Sequence, residues 1–418
     1  MSQTKEASLK SQKIINDPVY GFITIPSELI FTIIDHPFFQ RLRRIKQLGL
    51  TDFVYPGALH TRFHHAIGAM HLMSITLDNL RIKGTEITND EYEASLIAIL
   101  LHDIGHGPFS HALEYSLLKG VPHEELSLLI IELLNEEFGG KLGLSLRIFK
   151  NQYERRFFHQ LVSSQLDIDR LDYLQRDCFF TGVSEGTIGA DRIIKMMDVK
   201  NDQVVIEEKG IYSIENFLSA RRLMYWQVYL HKTTVSAEKM LIKLIQRAKF
   251  LRQTGSKFTI TEEFDYFLLH NPTLADFRSD NSLLRLFLEM DDLDIWGAIK
   301  LWKNHPDYVL RNISQMFFNR NLFKISLTNT PFSPEEIANL KEKTISKLKI
   351  PSEDIDFFFS HGAVSNYGYL AKDRINILTK KGKVIDVAQA ADLPNIKVMS
   401  KIVEKHYVCK AKNINLNH

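Results

Sequence analysis

His102-Asp103-Ile104-Gly105-His106-Gly107-Pro108-Phe109-Ser110-His111 is the stretch on which the reading of this chain turns. Just before it, Tyr92 to His102 carries Leu96, Ile97, Ile99, Leu100 and Leu101 with almost no polar face, which predicts a helix buried on most sides. Gly105-His106-Gly107-Pro108 ends it. A hydrophobic helix that finishes in His-Asp presents an imidazole nitrogen and a carboxylate oxygen at the turn, where glycine lets other groups approach closely. Asp103, coming after an apolar run, is costly to bury without a counter-cation or several hydrogen bonds. The pair therefore reads as half of a metal site whose mixed donors suit Fe, Mn, Ni or Zn. Taken alone, in a chain with 16 histidines, the dipeptide reads more often as a helix-end histidine that caps carbonyls than as a metal ligand.

A second half is needed, and two segments offer it. His65 falls in the first turn of a helix opened by Arg62-Phe63-His64-His65, and Asp169 lies within Asp167-Ile168-Asp169-Arg170-Leu171-Asp172-Tyr173. On a helix Asp169, Tyr173 and Asp177 fall at i, i+4 and i+8, so one face points a carboxylate, a phenol and a second carboxylate toward a common pocket. Asp172 and Arg176, also four apart, read instead as a pair on a solvated face.

The rest of the chain constrains what such a site can serve. At 418 residues it has room for two or three domains of roughly 150 residues and a sizeable core. Hydrophobic residues at 44% and charged residues at 24% are ordinary globular usage, which excludes disordered and low-complexity classes. Lys plus Arg number 52 against 50 Asp plus Glu; a net charge of +2 is too balanced for a chain built to neutralise many phosphates along a nucleic acid. The two cysteines, Cys178 and Cys409, form neither a disulfide framework nor a four-thiolate zinc site, which fits the cytoplasm. No apolar run has signal-peptide or membrane-span length, so neither secretion nor a membrane location is expected.

Helical periodicity covers most of the first 330 residues. Ile214 to Arg252 predicts one or two long helices. Val204-Val205-Ile206 and Ile211-Tyr212, around Lys209-Gly210, predict a small surface hairpin. From Leu322 the texture changes to a strand (Leu322 to Leu327), a helix with Ser333 as N-cap, Pro334 at the first position and Glu336 closing a capping box, a strand (Ile355 to Phe359), and a hairpin pairing Ile375–Thr379 with Val384–Val387. The fold class is mainly α, a helical core over residues 1–325 with a small C-terminal α/β appendage over 326–418.

His65, His102-Asp103 and Asp169 in that order match the signature of the HD-domain metal-dependent phosphohydrolases. The stretches Phe39 to Gly49, Val54-Tyr55-Pro56-Gly57-Ala58, Arg62 to His65 and His102 to His111 resemble, within them, the deoxynucleoside triphosphate triphosphohydrolases, a match running from about Lys13 to Lys324. The resemblance implies that His65, His102, Asp103 and Asp169 hold a divalent ion, one of Fe, Mn, Zn, Ni or Mg. It implies hydrolysis at the α-phosphorus, releasing deoxynucleoside and inorganic triphosphate. His111 matches the histidine that protonates the leaving 5′ oxygen, with His106, Glu114 and His123 in support; Glu114 stands where the family has aspartate. Among substrate contacts, Arg62 matches an α-phosphate arginine, Arg221 a triphosphate arginine and Tyr173 a phosphate-side tyrosine. Gln47 and Asp177 match groups on the sugar 3′-hydroxyl, and Tyr229 matches the ring beneath the deoxyribose. Arg170 and Tyr225 replace a lysine and a histidine; core packing is the competing reading of Tyr225 and Tyr229.

The resemblance also implies activation by GTP or dGTP at a subunit interface of a homodimer or homotetramer. Lys13, Asn16, Asp35, Gln40 and Arg43 fit the guanine-reading positions. Arg192, His231, Lys232, Arg320 and Lys324 fit companion contacts, with Glu207 in place of a basic residue. Three functions compete: a deoxynucleoside triphosphate triphosphohydrolase; another HD phosphohydrolase, either a 5′-nucleotidase or a cyclic-nucleotide phosphodiesterase; and a single-stranded nucleic-acid-binding protein, which the charge balance disfavours.

Overall fold

The computed structural model describes residues 13–118, 120–366, 374–391 and 403–414, with the side chains of His111 and Tyr115 outside that description. Helices dominate the described residues, as the periodicity predicts. At the centre lies the Arg62–Ile82 helix, packed against the Asn89–Leu101 and Ile168–Thr181 helices. The Asn89–Leu101 helix starts at a reciprocal cap: Thr88 Oγ1 accepts from the Glu91 amide at 3.1 Å, and the Glu91 carboxylate accepts from the Thr88 amide at 2.8 Å. From Ala94 to Leu101 every residue is buried. The one polar side chain among them, Ser95, donates back to Glu91 O at 2.7 Å. Fully burying a leucine or isoleucine contributes about 1.5–3 kcal/mol over leaving it exposed, so this helix is an anchor of the core and holds His102 at its end firmly.

The long amphipathic run resolves into two helices, Ile211–Met224 and Lys232–Gln253, joined by a π turn over Tyr225–Tyr229. Leu230 N donates to Tyr225 O at 2.7 Å across that wider turn. Such single-turn insertions commonly sit at functional sites because they re-aim side chains without ending the helix.

Among the described residues three small sheets complete the fold. The first is the hairpin Ile14–Asp17 with Gly21–Thr24. The second runs Met197–Lys200, Gln203–Glu207, Asn376–Leu378, Val384–Asp386, with a parallel Ile206–Ile377 pairing that stitches the C-terminal region to the helical part. The third runs Lys324–Thr328, Val403–Lys410, Phe359–Asn366, all antiparallel, beside the Pro334–Leu348 helix. The capping box of Ser333 and Glu336 and the 376–386 hairpin are as expected. No helix among the described residues is long and apolar enough to cross a membrane.

Three local expectations are corrected. The hairpin expected around Lys209-Gly210 lies earlier: Gln203–Glu207 pairs with Met197–Lys200 across Asn201 and Asp202, both left-handed at φ 52° and 57°, and Ile211 opens a helix. Asn and Asp tolerate that region, which makes them the turn residues here. Nor is the hairpin superficial, since Val205 and Ile206 are buried against the core. The segment Ile355–Phe358 is one helical turn, and the strand begins only at Phe359. Asp172 and Arg176 do pair at i, i+4, but inside the protein, both at 0% exposure.

Candidate metal centre

Three helices bring His65, His102 and Asp169 to one point, with Asp103 at its edge between His102 and His106. The Arg62–Ile82 helix begins with Thr61 N donating to His64 Nδ1 at 3.2 Å, which fixes the first turn and turns His65 inward. The Asn89–Leu101 helix delivers His102 and Asp103 at its end. Asp169 sits in the first turn of the Ile168–Thr181 helix, whose N-cap Asp167 accepts from the Arg170 amide at 2.8 Å.

His65 Nε2 lies 3.1 Å from Asp169 Oδ1 and 3.3 Å from His102 Nε2. His102 Nε2 is 3.3 Å from Asp169 Oδ1 and 3.4 Å from Asp103 Oδ1. Donor atoms about 2.1 Å from an ion stand about 3.0 Å apart at right angles and about 3.4 Å apart at tetrahedral angles, so these spacings suit a shared ion. The tautomers agree. His65 Nδ1 faces Asp172 Oδ2 at 2.7 Å and His102 Nδ1 faces Ile99 O at 2.6 Å; both oxygens accept, so each Nδ1 carries a proton and Nε2 is the atom left to face an ion. His65, His102 and Asp169 thus turn three donor atoms on one another, with Asp103 beside His102 and paired to Arg62. The carboxylates' demand for positive charge is strong enough to protonate His65: burial pushes the imidazolium down, but its bonds to Asp169 and Asp172 outweigh this and raise it to about 10, so an ion that binds takes the place of the Nε2 proton. Burial likewise raises Asp169, yet His102 and His65 hold its carboxyl well below the usual range.

Behind the ligands stands a buried ionic chain that sequence reasoning missed. Asp172 also takes Arg176 Nε and Nη2, each at 3.0 Å, and Arg176 Nη1 reaches Asp17 Oδ2 at 2.8 Å. Gly68 makes room for it, because a Cβ there would stand 2.0 Å from Arg176 Nη2 and 2.1 Å from Asp172 Oδ1. On the other side Arg62 pairs with Asp103 and donates from Nε to Ser110 Oγ at 2.9 Å. Ser110 and Phe109 hold non-glycine positive φ, 50° and 54°, a conformation costing about 1–3 kcal/mol each that persists only where neighbours enforce it.

The cluster opens on a cavity of about 490 Å³. Gln47, Arg62, Asp103, His106, His123, Asp169, Arg170, Tyr173, Asp177, Tyr225 and Tyr229 line it, so the i, i+4, i+8 face of Asp169, Tyr173 and Asp177 does meet a common pocket. Tyr229 OH donates to Asp177 Oδ2 at 2.8 Å, and the Tyr225 ring packs edge-on to Tyr229 at 5.1 Å. His60 Nε2 holds the other Asp177 oxygen at 2.7 Å, a contact with no sequence signal, since Leu59-His60-Thr61 belongs to no periodic run. Arg170 pairs with Asp167. Arg221 is buried but is not part of the cavity wall; its Nε and Nη1, like Gln47 Oε1, have no hydrogen-bond partner. The His106 and His123 rings lie 3.8 Å apart, His106 Nδ1 is 3.4 Å from Asp103 Oδ1, and Glu114 Oε1 takes His123 Nδ1 at 2.9 Å and the His123 amide at 3.0 Å. The backbone of His111 opens the His111–Leu117 helix; its side chain lies outside the described residues.

The residues expected to read an activator all lie at the surface, with Gln40 and His231 half-buried. Lys13 sits over Phe31, and Arg43 stacks on Phe63 while donating to Gln40 Oε1 at 2.8 Å. Asn16 pairs with Phe22 in the first hairpin, and Asp35 ends the Glu28–Asp35 helix. His231 caps the Lys232–Gln253 helix beside Tyr55, and Arg320 donates to Phe53 O at 2.9 Å, so these two meet around one segment. Lys232 opens that helix, Lys324 opens a strand, Arg192 reaches Lys209 O, and Glu207 is taken by Lys83 at 2.6 Å.

The HD domain profile matches residues 62–177, and the HD associated region matches 188–267. A crystal structure of a phosphohydrolase from Bacteroides thetaiotaomicron superposes with a TM-score of 0.92 at 50% identity, covering 96% of this chain and 100% of that one. The uncharacterized protein YwfO of Bacillus subtilis is 32% identical over 91% of this chain and 88% of its own length. The deoxynucleoside triphosphate triphosphohydrolase SAMHD1 of Homo sapiens is 28% identical over 82% of this chain, which spans 61% of that protein. With its cluster of His65, His102 and Asp169 carried on the matched helices, this chain belongs to the HD-domain phosphohydrolases.

Proposed function

We propose that the chain hydrolyses deoxynucleoside triphosphates to deoxynucleoside and inorganic triphosphate. The observation that carries this reading is the joining of the His-Asp cluster to one cavity that also holds Arg62, Arg170, Tyr173, and the Tyr229–Asp177 pair. His65, His102, Asp103 and Asp169 would hold a divalent ion, which would supply phosphoryl polarisation and a water acidic enough to ionise near neutral pH. Arg62 and Arg170 grip phosphate oxygens, guanidinium forks being matched to them, and Arg221 offers two unsatisfied donors. Tyr229, fixed by Asp177, fills the space beneath the sugar and selects for deoxyribose. His111 gives the leaving 5′ oxygen its proton, and Glu114, His123 and His106 orient and charge it.

On the same reading the catalytic unit lies within residues 1–325, the chain acts in the cytoplasm as a homodimer or homotetramer, and GTP or dGTP at the surface residues around Arg43 and His231 activates it. The deciding experiment incubates purified protein with the four deoxynucleoside triphosphates and Mn or Mg, with and without GTP, and identifies products. Inorganic triphosphate supports the reading. Orthophosphate or a linear monophosphate would point to the 5′-nucleotidase or phosphodiesterase reading instead, and a rate unchanged by GTP would remove activation.

A further inference from the structure

Residues 290–292 lie outside both matched family regions, yet they grip the walls of the cavity. Asp292, 3% exposed at the start of the Asp292–Trp302 helix, accepts from the Phe109 amide with Oδ1 at 2.8 Å and from the Lys46 amide with Oδ2 at 2.9 Å. Phe109 precedes Ser110, the two left-handed residues that lead into the His111 helix. Lys46 precedes Gln47, whose own amide donates to His60 O at 3.0 Å. Beside it Arg41, 1% exposed, donates from Nε to Met290 O at 2.6 Å and from Nη1 to His106 O at 2.9 Å. Arg44 pairs with Asp291. Three segments, 41–46, 106–110 and 290–292, are thus tied together by bonds spanning 65 to 249 positions of sequence.

We propose that Asp292 is a positioning residue that clamps the Phe109–Ser110 turn to the Lys46–Gln47 segment, and thereby sets the distance between the two cavity walls on which they stand. A carboxylate suits this because its two oxygens take two amides at once. The left-handed turn needs such an external hold, since its residues do not favour that backbone region on their own. The catalytic part of this inference rests on the phosphohydrolase reading above.

The test uses the full chain and two substitutions at one helix end. Asp294 closes the same helix cap, accepting from the Asp291 amide at 2.8 Å, and serves as the control. Asp292→Ala is expected to lower kcat by about tenfold or more with KM nearly unchanged, to leave manganese binding in place, and to speed amide exchange across residues 106–112. Asp294→Ala is expected to keep wild-type kcat and exchange in that segment, and Asp292→Asn, which keeps one good acceptor, to fall between. Should Asp292→Ala not fold, Asp292→Asn decides on the same readouts. Unchanged exchange at Phe109 in the Asp292 variants, or an equal loss of kcat in Asp294→Ala, would overturn the clamp. Absence of nucleotide turnover in the wild type would sink the functional reading alone, because exchange still judges the clamp.

Discussion

Asp172 accepts the Nδ1 proton of His65 at 2.7 Å with the same carboxylate that Arg176 holds at 3.0 Å. Burial pushes this carboxyl up, but Arg176 and His65 outweigh it and bring it down to about 2, so it is an anion at any working pH. It locks the imidazole that must offer Nε2 inward. Asp172→Asn is expected to weaken metal binding by about 10- to 100-fold, the range seen when such outer partners of a ligand histidine are lost. Competition with a calibrated chelator reads this directly, and wild-type affinity would mean His65 needs no such lock.

Gly68 tests the same chain sterically. Gly68→Ala would drive a methyl into Asp172 and Arg176, whose atoms are held from three sides. The expected loss is about 1–3 kcal/mol of stability or more in urea unfolding, with a parallel loss of metal affinity. A variant as stable as the wild type would show that the ionic chain can slide aside.

Arg221 separates binding from stability. It stands behind the cavity wall within electrostatic reach of Tyr173, and two of its donors are buried without partners, a condition that costs free energy until a ligand supplies acceptors. Arg221→Leu is therefore expected to leave Tm unchanged or raise it while increasing KM for a nucleoside triphosphate by about tenfold or more. A drop in Tm with KM intact would assign the arginine to the fold.

Glu238 gives a pH signature. It lines the cavity, and burial pushes its carboxyl up from 4.5 to about 7. A raised folded value means the native state holds its proton longer than the unfolded chain. The contribution is complete below about pH 4.5 and fades as pH rises through about 7. Glu238→Gln should flatten that part of the stability profile between pH 5 and 8, most visibly as higher relative stability at pH 8. Parallel profiles for the two proteins would refute the assignment.

The convergence of His65, His102 and Asp169 was legible because its signals are local: an apolar run stopping at His102-Asp103, His65 one turn into a helix, Asp169 at i to Tyr173 and Asp177. The supports were not, since each depends on a distant segment. Nothing near Asp172 reveals that Asp17, on a hairpin 155 positions earlier in sequence, completes the burial of Arg176, so i, i+4 spacing alone suggested a solvent-facing pair. The Asn201-Asp202 turn could have been found from turn chemistry, but Lys209-Gly210 drew the reading one element too far. The π turn at Tyr225–Tyr229 leaves no mark on periodicity in so short a stretch.

The parallel pairing of Ile206 with Ile377 and Glu207 with Leu378 has a practical corollary for anyone trimming this protein. Ending the chain before Asn376 would strip the neighbour from Gln203–Glu207 and leave a row of bare amides and carbonyls flanked by Val205 and Ile206. Such an edge invites another copy to add its own strand. A shortened version is thus expected to come out of the cell clumped, whatever the health of its catalytic half.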